Sequence, residues 1–292
     1  MNQQAGARQT GFTLVEVLVV VVIIGILAGL AVPAIFVAMQ KVEDGTAIVE
    51  VKLVAQALDA YKVEYGEYPP DFTNHQHVID HLNRIFPRRR EWRQVDEVFP
   101  LDPHVALLFW LRGFFANPEY PITGGDINGD GIPDSERKPF VEFNVAMIVA
   151  ADTNDDQIPD GDLDLDTPGD EFLAPSKMPQ SPIVYFDSRS NQGAVSSYQL
   201  LGNNPPENIP KSFVLAGNGG TAMPYMWSET YSKSRQKYVN PDAFQLISAG
   251  RDGHFGDPND NRKWYPEGLN YDEYDADNIT SFSTNTLGNS IP

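Results

Sequence analysis

Glu16 stands at the head of an apolar run that carries no other charge until Lys41. Residues 17–39 are 23 uncharged, mostly apolar residues; at about 1.5 Å rise per residue a helix of them spans roughly 35 Å, enough to cross a bilayer core. An ionised carboxylate at the apolar end of such a helix costs about 2.5–3.5 kcal/mol on insertion scales unless it finds a partner. The chemistry open to Glu16 is therefore charge pairing in a membrane.

A second set of oxygens has ligand spacing. Asp126, Asn128, Asp130 and Asp134 fall at positions 1, 3, 5 and 9 of a loop with Gly131 at position 6, the opening of an EF-hand type calcium loop. Twenty-six residues on, Asp152, Asn154, Asp156 and Asp160 repeat that register down to a shared Ile-Pro-Asp. Alternating oxygens turn inward around one hard cation, with Ile132 or Ile158 offering a backbone carbonyl, and oxygen-only donors favour calcium over zinc or copper. Position 12 is Arg137 in the first loop and Leu163 in the second, so the bidentate Glu of an EF-hand is missing; the second loop also has Gln157 in place of the glycine. Both look more like the short aspartate-rich loops of extracellular modules, which bind calcium at about 10⁻⁴ to 10⁻³ M. Between Asp126 and Glu171 lie 14 acidic and two basic residues, a density that repels itself without cations.

Catalytic patterns are not evident. His75, His77 and His81 form the only histidine cluster, with His77 and His81 on one helical face, but a zinc site needs a third ligand and a poised nucleophile or base. The expectation is surface histidines. No His-Glu-x-x-His, Gly-x-Ser-x-Gly or phosphate loop occurs, and the adjacent Asp155 and Asp156 fall inside a ligand-spaced loop. The chain reads as a non-enzyme.

Gly-Phe-Thr-Leu-Val-Glu at residues 11–16, followed by the apolar run, resembles the leader-cleavage and methylation segment of type IV prepilins and of the pseudopilins of type II secretion. The resemblance implies that a prepilin peptidase cuts between Gly11 and Phe12 and methylates the new amine. It makes residues 1–11 a leader, matches Glu16 to the family's glutamate and places Pro33 where many members have a helix-bending proline. In a filament the Glu16 carboxylate of one subunit would meet the Phe12 amine of its neighbour, so that each buried charge is compensated only on assembly. Residues 56–70 resemble the end of the long helix of major pseudopilins, and residues 244–256 and 275–282 the strand, loop and acidic segment that close their heads. Major pseudopilins hold calcium in that last loop; the resemblance implies a site here among Asp252, Asp275 and Asp277, with Asp257 and Asp260 in the same region. The implied protein is a filament subunit of type II secretion, anchored once in the inner membrane with its head in the periplasm or outside the cell, and assembled with other pilin or pseudopilin subunits. A type IV pilus subunit for adhesion or motility is the alternative, and a membrane-anchored hydrolase a minor one.

The elements that must position these groups follow. Val42, Ile48, Val49, Val51, Leu53, Val54, Ala57, Leu58 and Tyr61 recur at three- and four-residue spacing, so the helix continues beyond the membrane until Gly66 and Pro69-Pro70 stop it. Residues 12–66 are thus one long helix, with Pro33 and Gly45 as weak points. Residues 67–292 form the head, with the acidic insert at 126–171. Arg84, Arg88, Arg89, Arg90 and Arg93 crowd ten residues and are expected to pair with acidic groups. Asp102-Pro103 reads as N-cap and first residue of a helix running to about Phe115, packed through Leu107, Leu108, Trp110, Leu111, Phe114 and Phe115. Strands are expected over residues 140–150, 183–186, 198–200 and 244–248. The fold class is α+β, a long transmembrane helix followed by a head with a small antiparallel sheet and loop-rich, calcium-binding insertions. The formal charge of −19 argues against nucleic acid as a partner, and with no cysteine there is neither disulfide nor thiolate metal site.

Overall fold

A computed structural model describes residues 12–72, 75–90, 103–125, 135–150, 171–187, 197–199, 212–214, 219–227, 238–240, 242–256 and 263–290. Both ligand-spaced loops, Gly11, Arg93, Asp102, Asp257 and Asp260 lie outside them. The chain divides into two units, Met1–Glu43 and Asp44–Pro292.

Helix α1 (Leu14–Tyr65) keeps helical geometry through Pro33. In the first unit every described residue from position 12 onward is exposed up to position 42, Leu30 at 72% and Phe36 at 63% among them. The second unit buries the other end of α1 through Ala47, Val51, Val54, Ala57, Leu58 and Tyr61, a stripe at three- and four-residue spacing. Val42 and Val49, which the periodicity groups with that stripe, face outward at 68% and 66%. The helix ends where Gly66 takes φ +84° and donates its N–H to the Lys62 carbonyl at 2.8 Å, the left-handed cap that glycine adopts without strain.

Two shorter helices follow, α2 (His75–Ile85) and α3 (Pro103–Leu111). Helix α3 stops before the expected Phe115. Gly113 turns the chain at φ +78°, where a Cβ would lie 1.7 Å from the Lys138 carbonyl oxygen. Phe114–Phe115 then become strand β1, paired antiparallel with β2 (Arg137–Lys138). The apolar residues assigned to α3 and its end are all buried, Leu107, Trp110 and Leu111 completely.

The central sheet is antiparallel, in the order β12 (Ile279–Thr280), β10 (Phe244–Ser248), β5 (Ile183–Asp187). The register pairs Leu246 with Tyr185 and Ile247 with Val184. Smaller pairs surround it: β3 (Ile148–Ala150) with β4 (Glu171–Leu173), β6 (Ser197–Gln199) with β7 (Ser212–Val214) and β8 (Thr221–Ala222), and β9 (Met226–Trp227) with β11 (Trp264–Tyr265). Two of these pairings, β6 with β7 and β9 with β11, are parallel. The strand expected over residues 140–150 is confined to its last three, because the Asn144 side chain accepts the Ala146 N–H and caps a 3₁₀ turn at Val145–Met147.

One apolar core joins α1, α2, α3 and one face of the central sheet; a second lies on the other face, around Val184, Phe186, Tyr225, Ile247 and Phe255. Strand alternation divides them. The chain leaving α1 is stitched to the first of them, since the Trp110 indole donates to the Pro70 carbonyl at 2.8 Å and the Tyr185 hydroxyl to the Pro69 carbonyl at 2.6 Å.

Candidate functional site

At the start of α1 the Glu16 carboxylate reaches back over the first turn. Its Oε2 accepts from the Thr13 backbone N–H and hydroxyl, both at 2.8 Å, and the Glu16 N–H lies 3.3 Å from the Thr13 hydroxyl. The exchange is the reciprocal pattern of a capping box. It satisfies hydrogen bonds and leaves the charge: among the described residues Glu16 has no cationic partner, and Phe12 beside it is 84% exposed. Cleavage before Phe12 would create an amine four residues from this carboxylate, on an apolar helix that is exposed among the described residues of its unit.

Asp252, Asp275 and Asp277 lie near one another in sequence but do not converge. Among the described residues no three His, Cys, Asp or Glu side chains gather to metal-ligand distance. Asp277 Oδ2 accepts the N–H groups of Arg251 at 2.7 Å and Asp252 at 3.0 Å. Asp277 Oδ1 is buried without a partner. Asp252 Oδ1 accepts the His254 N–H at 2.8 Å. Burial raises both carboxyls above the ordinary aspartate value; Asp277's charge adds to the effect at Asp252, while the Asp252 and Arg251 N–H groups oppose it at Asp277. Asp275 sits in a 3₁₀ turn at Glu273–Asp277, where its carboxylate and that of Asp272 cap each other's backbone. It is fully buried, and its Oδ1 takes the Lys263 ammonium at 2.6 Å. A calcium ion asks for six to eight oxygens at about 2.3–2.6 Å. As placed, these three carboxylates do not present that donor set.

His81 differs from expectation. It is fully buried, where surface histidines were expected, with Nε2 2.7 Å from the Tyr61 hydroxyl and Nδ1 against the Glu67 carboxylate. An ionised carboxylate only accepts, so Nδ1 carries a proton toward Glu67 and a neutral ring takes the Tyr61 proton on Nε2. Sequence spacing gave no sign of this, since Tyr61 and Glu67 belong to α1 and the turn after it. His77 is half-buried on the same helix. The arginine cluster resolves into internal pairs: Arg84 with Glu67, and Arg90 with Glu119 at 3.1 Å, while Arg89 is buried.

The profile of the prokaryotic N-terminal methylation motif matches residues 6–32. The N-terminal segment is similar to the methylated segment that this profile describes. Type II secretion system core protein G of Pectobacterium carotovorum subsp. carotovorum is 42% identical over 66 residues, which are 23% of this chain and 42% of that protein. The same-named proteins of Aeromonas hydrophila and Escherichia coli K12 are 45% and 41% identical over 62 and 66 residues, covering 43% and 46% of their lengths. The chain thus spans less than half the length of these relatives, which are named as secretion-system core proteins. No solved structure matches it significantly. Among the described residues one helix, α1, is long and apolar enough to cross a membrane.

Proposed function

We propose that this chain is a pseudopilin, a structural subunit of a type II secretion filament, anchored once in the inner membrane and processed between Gly11 and Phe12 by a prepilin peptidase. The observation that carries the reading is Glu16: a carboxylate with no cationic partner among the described residues, one turn into an exposed apolar helix and five residues after Gly11, within the segment that matches the methylation motif. A charge that a lone helix leaves uncompensated in lipid becomes neutral once a neighbouring subunit offers its Phe12 amine. Assembly is then favoured over the dispersed protomer, and the register between subunits is set by that pair. The role is structural rather than catalytic. Calcium in the loops at residues 126–134 and 152–160 belongs to the same proposal and is supported by their repeated ligand spacing.

Two substitutions test the reading. Glu16→Ala should insert into membranes as the parent does but enter filaments at roughly a tenth of its level or less, a loss equivalent to about 1.4 kcal/mol or more per contact; normal filament yield would remove the charge-pairing mechanism. Gly11→Ala should retain the leader of residues 1–11 in the membrane-extracted protein, read by intact mass. Full-length mass in both parent and variant would mean that the segment is not processed.

A further inference from the structure

The turns that close the head hold a cation of their own. Lys263 is 1% exposed and Asp275 fully buried. The Lys263 ammonium donates to the Phe255 carbonyl at 2.7 Å and to Asp275 Oδ1 at 2.6 Å. The same Oδ1 accepts from the Tyr225 hydroxyl at 3.0 Å and from Asn278 Nδ2 at 3.2 Å, and Oδ2 accepts the Asp272 N–H at 3.0 Å. Both oxygens of the buried carboxylate accept hydrogen bonds, and its charge faces the ammonium at contact distance.

Gly256 makes room for this arrangement. At φ +79° a Cβ there would lie 2.7 Å from Lys263 Nζ, 2.7 Å from Asp272 Oδ1 and 2.8 Å from Asp275 Oδ2. The ammonium is therefore placed among a backbone carbonyl and carboxylate oxygens, in the part of the chain where the pilin-like resemblance implies calcium. A metal could use Asp275 only by displacing a buried ammonium, since Lys263 is 1% exposed and its neighbours Tyr225 and Phe255, which share these hydrogen bonds, are buried as well.

We propose that the Lys263 ammonium is a built-in counter-cation that takes the place of a metal ion at Asp275, so that the C-terminal turns of this head close without calcium. The inference is independent of the filament reading and of the acidic loops upstream.

The test uses the full chain in detergent. Native protein is labelled with an amine-reactive acetylating reagent in EGTA and again in 5 mM calcium chloride, and each lysine is followed by peptide mass spectrometry. Lys52 and Lys138, which are exposed, should label quickly in both buffers, with Lys263 roughly a hundredfold slower in both, as expected for a site that opens only on unfolding of its surroundings. A rise in Lys263 labelling with calcium would show a metal displacing the ammonium and overturn the proposal. Labelling as fast as Lys52 in EGTA would overturn it too. As a second measurement, Lys263→Met removes the charge while keeping the stem's bulk. Its melting temperature in EGTA should drop by roughly 10 °C, and calcium should raise it by more degrees than it raises the parent, because Asp275 then lacks a cation. Equal calcium increments in parent and variant would count against an ammonium standing in for the metal.

Discussion

His81 is where a single side chain does most to join the elements of the head. Its ring bridges the Tyr61 hydroxyl on α1 and the Glu67 carboxylate in the turn beyond, and Arg84 holds the same carboxylate from the end of α2. Trp110 packs edge-on against the imidazole with centroids 5.3 Å apart. Removing the ring leaves a buried hydroxyl and a carboxylate short of a partner beside a cavity, so His81→Ala should cost about 2–4 kcal/mol. Urea denaturation of the full chain in detergent measures this. A loss under about 0.5 kcal/mol, the size of an ordinary surface substitution, would mean that the bridge contributes nothing. The contrast with Glu16 is one of address: His81 finds its partners across the head, whereas among the described residues Glu16 bonds only to Thr13.

Among the elements, the C-terminal end of α1 is the joint. Tyr65 packs against Phe86, Phe114 and Phe140, and the Tyr68 hydroxyl donates to Asp59 at 2.8 Å beneath the Lys62 ammonium. Both phenols are pushed up to about 12, Tyr65 by burial and the charge of Glu64, Tyr68 by burial and then by its hydrogen bond to Asp59 and that carboxylate's charge. In the unfolded chain a tyrosine ionises near 10. The folded state therefore holds protons that the unfolded state has already released; stability that is whole below pH 10 is lost progressively as pH rises toward 12. Denaturation midpoints at pH 8, 10 and 11 should fall in that order. Midpoints that stay level from pH 8 to pH 11 would contradict the packing described for this joint. The rest of the joint is backbone chemistry, with the Pro69 and Pro70 carbonyls taken by Tyr185 and Trp110 and Glu50 accepting the Ser176 N–H at 2.8 Å.

For the whole molecule the governing quantity is charge. A chain of net charge −19 with its acids concentrated at residues 126–171 gains from any cation that binds the folded state and not the unfolded one. With calcium at about ten times the dissociation constant, one occupied loop adds about 1.4 kcal/mol, or roughly 3 °C in melting temperature for a head of this size. Addition of 5 mM calcium to the full chain should produce that rise, EGTA should reverse it, and Asp126→Ala with Asp130→Ala should abolish the share due to the first loop. No heat in a calorimetric titration and no shift in melting would remove calcium from the account of these loops, leaving the Lys263 proposal untouched.

What the sequence determined by itself is local or periodic. An apolar run of 23 residues, one acid at its head, a glycine and two prolines at the end of a helix, and the alternation of residues 244–248 are each legible because the cause lies within a few residues of the effect. The pilin-like segment was readable for the same reason. Tertiary structure alone decided which polar groups meet across long stretches of chain. Nothing near Lys263 in sequence announces that its ammonium belongs to Asp275, nothing around His81 points to Tyr61, and the carbonyl that requires a glycine at position 113 belongs to Lys138, 25 residues away. Spacing along a chain ranks candidate ligands; whether a carboxylate is free to hold a metal depends on what else has been buried beside it.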